Sequence, residues 1–269
     1  MGIKKSLRLG LGPNQARLLS KLSSARRDEV FTMGEAKTAL RISGPELRKL
    51  LHDLAVKRWI ERIEKGKYLL LPLEAGPSTV YATSPLIIAR KLVNPYYLGF
   101  ATALNYYGLT EQVSRKTYIA TTKKKRPLQF HSEEYQFVTL AEKRFFGSRE
   151  EWLGDLKFNI SDKEKTIVDC LFLPEYSGGL AGIGKAFKEE LDCSKLYDYA
   201  LRMEDQSVLK RLGYLLDTLK INPKIAGRLL EKVGGGFALL DSSGKKNGSI
   251  NRKWRIIENI GINDLGAES

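Results

Sequence analysis

The sequence predicts an α+β protein built in two parts, residues 1–75 and 76–269, on three observations. Two short helical patterns and a basic hairpin follow one another between Phe31 and Leu71. A proline-bounded break at Pro72–Pro77, with Glu74-Ala75-Gly76 inside it, marks a linker. Beyond it, short strand-like runs give way to a long helical stretch from Ser161 to about Val233, the pattern of a mixed α/β domain in which a helical bundle packs on a small sheet.

The amino-terminal part is the more explicit. Ser43-Gly44-Pro45-Glu46 combines a Ser-x-x-Glu capping box with proline in the first turn, where its missing N–H costs nothing. The helix starting there places Leu47, Leu50, Leu51 and Leu54 at the i, i+3, i+4, i+7 spacing of a half-buried helix. Its opposite face carries Lys49 and His52, flanked by Arg48 and Asp53. Before it, Met33–Leu40 reads as a short helix ending at Arg41-Ile42, so a brief connection forces a steep crossing. After it, Trp59–Glu64 and Lys67–Leu71 read as strands joined by Lys65-Gly66, a two-residue hairpin turn. Pro13–Ser24 supplies a first helix with Ala16, Leu18, Leu19 and Leu22 to bury, and Met1–Gly12 reads as a loose basic arm. This order is that of a winged helix-turn-helix. Its candidate DNA-binding residues are Ser43, Arg48, Lys49 and His52 on the capped helix and Arg62, Lys65 and Lys67 on the hairpin. The helix would read bases, while the hairpin lysines would contact phosphates and add affinity with little sequence information. The competing reading is a small α+β module whose charges are merely solvated.

The composition agrees with a polyanion partner. The chain has 269 residues, 42% of them hydrophobic and 28% charged, and a formal net charge of +14. Residues 1–75 hold 16 Lys and Arg against 8 Asp and Glu, over half of that excess in about a quarter of the length. No run approaches the ~18 apolar residues of a membrane span, and Met1-Gly2-Ile3-Lys4-Lys5 lacks the apolar core of a signal peptide, so a cytoplasmic protein without membrane contact is expected. Cys170 and Cys193 form no metal-ligand spacing with His52 or His131, which argues against a zinc site.

In the second part, Ser84-Pro85 opens a helix that Asn94-Pro95 stops. A further helix is expected over Tyr97–Tyr107, capped by Gly108, with Tyr96, Tyr97, Phe100, Tyr106 and Tyr107 read as core aromatics rather than base-stacking groups. Thr117–Thr122 and Tyr135–Leu140 read as partner strands around an exposed loop, Lys123-Lys124-Lys125-Arg126, a candidate second basic patch or simply a solvated turn. Ser161-Asp-Lys-Glu164 reads as another capping box, before Ile167, Val168, Leu171 and Phe172. Helical patterns follow at Leu180–Leu191, Ser194–Met203, Val208–Leu219 and Pro223–Val233. Gly234-Gly235-Gly236 then reads as a hinge, and Phe237–Leu240 and Trp254–Ile257 as terminal strands around a polar loop.

Chemistry-bearing motifs are scarce. The triple glycine lacks the Gly-Lys-Ser/Thr of a phosphate-binding loop. Asp155-Leu156-Lys157 resembles the end of a nuclease metal motif but has no well-placed earlier acid, and no serine or cysteine has a convincing histidine partner. No catalytic residue, metal or cofactor is therefore expected.

Three stretches together resemble the AbiEi family of antitoxins. They are Phe100-Ala-Thr-Ala-Leu-Asn-Tyr-Tyr-Gly-Leu-Thr110, Lys163-Glu-Lys-Thr-Ile-Val-Asp-Cys170 with Pro174-Glu-Tyr-Ser-Gly-Gly179, and Arg211-Leu-Gly-Tyr-Leu-Leu216. With the amino-terminal winged helix, the likeness extends over nearly the whole chain. It implies a prokaryotic autorepressor whose winged domain binds repeats in its own promoter. It also implies an antitoxin that counteracts a nucleotidyltransferase-like toxin encoded beside it, in systems where the two need not form a stable complex. The alternatives are an effector-responsive regulator with a pocket near Tyr106, and a DNA-processing enzyme targeted by the winged domain.

Overall fold

The computed structural model describes residues 10–25, 29–72, 83–112 and 114–261. The arm expected at Met1–Gly12 and the linker expected at Pro72–Pro77 lie mostly outside these residues. The fold is α+β, with several small sheets. Contacts divide the chain into two units, 1–94 with 152–158, and 95–151 with 159–269.

In the first unit the order is α1 (Pro13–Ala25), β1 (Val30–Thr32), α2 (Met33–Leu40), α3 (Gly44–Val56), β2 (Ile60–Glu64), β3 (Lys67–Leu70) and α4 (Pro85–Leu92). β3 lies between β1 and β2 in an antiparallel sheet. β1 is a strand the sequence pattern did not reveal, because three residues are too few for a period to show. Helix α2 begins at a complete reciprocal capping box: Glu35 N–H donates to Thr32 Oγ1 at 3.1 Å and Thr32 N–H to Glu35 Oε2 at 2.7 Å. It stops at Arg41, whose φ of 57° turns the chain out of the helix. The stripe Leu47, Leu50, Leu51 and Leu54 is buried against Leu18, Leu19, Phe31, Ala36 and Leu40, and Phe31 stacks on Tyr68 with ring centroids 5.5 Å apart. Helix α4 buries Ile87, Ile88, Ala89 and Leu92.

The second unit is organised by β4 (Tyr97–Leu98), α5 (Phe100–Tyr106), β5 (Lys116–Thr121), β6 (Leu128–Phe130), β7 (Glu133–Thr139), β8 (Ser148–Leu153), β9 (Leu156–Ser161) and α6 (Lys163–Phe172), the end of the β8–β9 hairpin, 152–158, being counted with the first unit. Then come α7 (Cys193–Arg202), α8 (Gln206–Thr218), α9 (Pro223–Leu230), β10 (Ala238–Leu239), β11 (Ser249–Asn251) and β12 (Ile256–Glu258). The larger sheet has the order β6-β7-β5-β4-β9-β8 and a terminal sheet the order β10-β12-β11. Several expectations are corrected. The helix expected from Tyr97 starts at Phe100, because Tyr97 and Leu98 pair with Ala120 and Ile119 as a strand. The strands expected around the basic loop do pair, β5 with β7 in parallel, and an additional strand between them in sequence, β6, runs antiparallel to β7. The cap of α6 is Asp162, which accepts from Lys165 N–H at 2.8 Å, whereas Ser161 is buried and bonded to Thr166. The stretch after Gly179 coils as a 3-10 helix over Leu180–Lys188. The expected hinge is pinned, since Lys210 Nζ donates to the carbonyls of Gly235 and Gly236 at 2.9 and 2.8 Å and Gly234 N–H donates to Gln206 at 2.6 Å.

Helix α6 is the buried axis of this unit, with Glu164 through Leu171 all buried. One turn apart on it, Lys165 and Asp169 form an ion pair in which both side chains are 0% exposed. The Tyr97 hydroxyl donates to the other Asp169 oxygen at 2.8 Å, and the ammonium lies 4.3 Å from the Phe146 ring centroid. Burial pushes the Asp169 carboxyl up, against the pull of Lys165 and Tyr97. Removing one member leaves an uncompensated buried charge, so Lys165→Met should cost about 3–5 kcal/mol. The double substitution Lys165→Met/Asp169→Leu should cost less than Lys165→Met alone, as read from urea midpoints at constant m-value.

Candidate nucleic-acid interface

The outward face of α3 follows from its inward one. With four leucines held in the core, Arg48, Lys49 and His52 are exposed, and none has an ion-pair partner among the described residues. Ser43 caps the helix, its hydroxyl accepting from Glu46 N–H at 3.4 Å, while Pro45 fills the first turn. The Arg48 guanidinium leans back toward the helix start, 3.7 Å from where a β-carbon on Gly44 would stand. The free amide groups of a helix start and the adjacent cations favour an anion there. Exposed Val56 adds an apolar group near the other end of the helix.

The hairpin differs from expectation at one residue. Lys65 is exposed beside Gly66, whose φ of +80° the turn requires. Arg62 is exposed too, with its Nε donating to the Glu64 carbonyl at 3.3 Å across a register shift between Arg62 and Glu64. Lys67 opens β3 next to the turn, as expected, but its side chain is only 22% exposed and is committed within the protein. Its ammonium pairs with Glu64 at 2.8 Å and donates to the Leu92 carbonyl at 2.5 Å. A lysine held by a carboxylate and a helix-end carbonyl is a structural strut between β3 and α4, which removes it from the phosphate-contacting set.

A second strut went unnoticed in the sequence. Glu35, besides capping α2, accepts from Lys91 of α4 at 2.8 Å. The Thr32-x-x-Glu35 spacing was the available signal. Burial raises the Glu35 pKa, but hydrogen bonds from Lys91 and Thr32 outweigh it and leave the carboxyl below its ordinary value.

In the second unit, Lys123, Lys124 and Arg126 are exposed, and Lys125 is half-buried with its ammonium 4.8 Å from the Phe137 ring centroid. The loop crosses the ends of parallel β5 and β7, where Thr139 Oγ1 donates to the Lys123 carbonyl at 3.4 Å. Of the aromatics near Tyr106, Tyr96, Tyr97 and Phe100 are buried, Tyr107 donates to the Ser161 carbonyl at 2.9 Å, and Tyr106 is exposed. Asp155 is exposed in the β8–β9 turn, and Lys157 lies 4.8 Å over the Trp152 ring. No group of three or more metal-ligating side chains occurs among the described residues, and no helix there is long and apolar enough to cross a membrane. Comparison of the chain with known protein families and with curated proteins found no match.

A depressed carboxyl contributes stability that is fully present above its ordinary pKa and is lost as pH falls through the depressed value. Glu35→Gln should therefore lower the melting temperature at neutral pH. The gap from the wild type should close as the pH is taken down through the carboxylate range, in melts followed by circular dichroism.

Proposed function

We propose that the protein is a sequence-specific duplex-DNA-binding regulator whose first unit is a winged helix-turn-helix. The observation that carries this reading is the outward face of α3, where Arg48, Lys49 and His52 stand unpaired beside the capped helix start. Around it, the helix-strand-helix-helix-strand-strand order supports a helix presented to the major groove and a hairpin tip, Lys65, beside it. The short α2–α3 connection through Arg41, Ile42 and Ser43 is compatible with that presentation.

The likeness to AbiEi antitoxins extends the reading to autorepression and to antagonism of a nucleotidyltransferase-like toxin encoded alongside. Packing of Tyr97 and Phe100 into the core weighs against an effector pocket built from those aromatics.

Electrophoretic mobility shifts on the gene's own upstream region test the DNA reading. Arg48→Ala/Lys49→Ala should weaken specific binding roughly tenfold or more, since a good base contact contributes ~1–3 kcal/mol. Lys65→Ala should weaken binding similarly on all sequences and reduce the salt slope by about 1. Lys67→Ala should act mainly on the melting temperature. Equal affinity for random duplexes would overturn sequence specificity. Failure of co-expression to restore growth against the neighbouring nucleotidyltransferase would overturn the antitoxin role alone.

A further inference from the structure

The terminal sheet presents a feature that the sequence reading passed over as a polar loop. From Ser242 to Ile257 the chain contains Lys245, Lys246, Arg252, Lys253 and Arg255 and no acidic residue. Strands β11 and β12 pair antiparallel, Asn251 opposite Ile256, so Arg252-Lys253-Trp254-Arg255 forms the turn between them.

Three of those four residues are cations, and the fourth anchors them. Trp254 is 1% exposed, its indole N–H donates to Asp217 of α8 at 2.8 Å, and its ring occupies the place of a side chain at Gly213, where a β-carbon would come within 2.0 Å. Asp217 also pairs with Lys253 at 2.7 Å, which neutralises that one cation. Arg252 and Arg255 are exposed and have no ion-pair partner among the described residues, and the same holds for Lys245 and Lys246.

An exposed aromatic residue stands at the neighbouring strand position to Arg255, since Ala238 pairs with Ile256. The Ala238 N–H donates to the Arg255 carbonyl at 3.0 Å, which sets the preceding residue, Phe237, beside the turn with 53% of its surface exposed. More than half of this apolar side chain is left in solvent. The backbone before it is fixed by the Lys210 clamp on Gly235 and Gly236, so the ring is carried on a held segment.

We propose that this turn, with Phe237 beside it, is a second nucleic-acid site, one that takes single-stranded or unpaired segments. Arg252 and Arg255 contact phosphates, and Phe237 stacks on a base. A free aromatic face is useless against a closed duplex, whose bases are already stacked, but it is what an unpaired base needs, alongside cations that track the backbone. The site lies on the second unit and does not rest on the reading of α3.

The test uses the full chain and fluorescence anisotropy with labelled single-stranded DNA and RNA of mixed sequence, about 16 nucleotides long. Phe237→Ala should weaken single-strand binding roughly tenfold, the loss of one stacked base. Arg252→Ala/Arg255→Ala should lower the magnitude of the salt slope by about 1.4, two single-strand phosphates. Both should leave duplex binding unchanged, while Arg48→Ala/Lys49→Ala leaves single-strand binding unchanged. Binding of RNA, DNA or both supports the site. It is overturned if the wild type binds single strands no better than the double-arginine variant, if Phe237→Ala changes nothing, or if the variants weaken duplex and single strand alike. Phe237 lies at the surface, so Phe237→Ala tests the site even if the arginine variant fails to fold.

Discussion

Burial of four leucines along one side of α3 decides what the other side of that helix can do. Leu47, Leu50, Leu51 and Leu54 are each at most 8% exposed, and each contributes roughly 1.5–3 kcal/mol by leaving water. Turning the helix by one residue would expose that stripe and bury Arg48 or Lys49 without a partner, a far larger cost than any gain in surface solvation. The orientation of the cationic face is thus set by apolar packing and not by the charges. The struts Glu35–Lys91 and Lys67–Leu92 then tie α4 to the start of α2 on one side and to the turn end of the hairpin on the other.

The second unit depends in the same way on α6, but with polar groups at its centre. The stretches 100–110, 163–179 and 211–216 meet around this helix. Phe100 packs edge-on against Tyr176 at 5.4 Å, and Arg211 reaches from α8 to the Leu171 carbonyl at 2.5 Å and the Leu239 carbonyl at 3.0 Å. The Gly179 turn is closed by Asp241, which accepts from Leu180 N–H at 2.8 Å; a side chain at Gly179 would strike that carboxylate. Their shared property is dense satisfaction of buried polar groups, which costs much to disturb. These motifs read most directly as the specification of a packed centre.

What the sequence made legible follows from how many residues each signal spans. Helix α3 was readable because capping, proline and four leucines agree over more than three turns, and the Lys65-Gly66 turn because a positive φ narrows the choice of residue. β1 and β4 escaped, having three and two residues, too few for alternation. The α6 cap was placed one residue early because Ser161 and Asp162 are both good caps. Only tertiary contacts, the Ser161 bonds to Leu98 and Thr166, decide between them. Within the candidate interface, exposure of Arg48, Lys49 and His52 could be deduced from the opposite face, whereas the fate of Lys67 could not. Its partner carbonyl, Leu92, is 25 residues away and belongs to a helix that sequence reasoning had assigned to the other part.

The same distinction governs how the net charge of +14 should be interpreted. A lysine or arginine already bonded to protein oxygen must surrender those bonds before it can serve a phosphate. Lys57, Lys67, Lys165, Lys195, Lys210 and Arg211 are all committed in this way. Arg48, Lys49, Lys65, Lys124, Arg126, Arg252 and Arg255 are not: they are exposed and make no ion pair among the described residues. Attraction to a polyanion grows with the number of cations that release counterions together, so clustering matters more than the total. On that criterion the excess charge resolves into the face of α3 with the hairpin tip, the loop between β5 and β6, and the anchored turn before β12. Among the described residues, the last sets an exposed aromatic residue, Phe237, at the strand position beside Arg255. That difference in chemistry, and not in charge, is the ground on which we propose closed and unpaired nucleic acid for different surfaces of one basic chain.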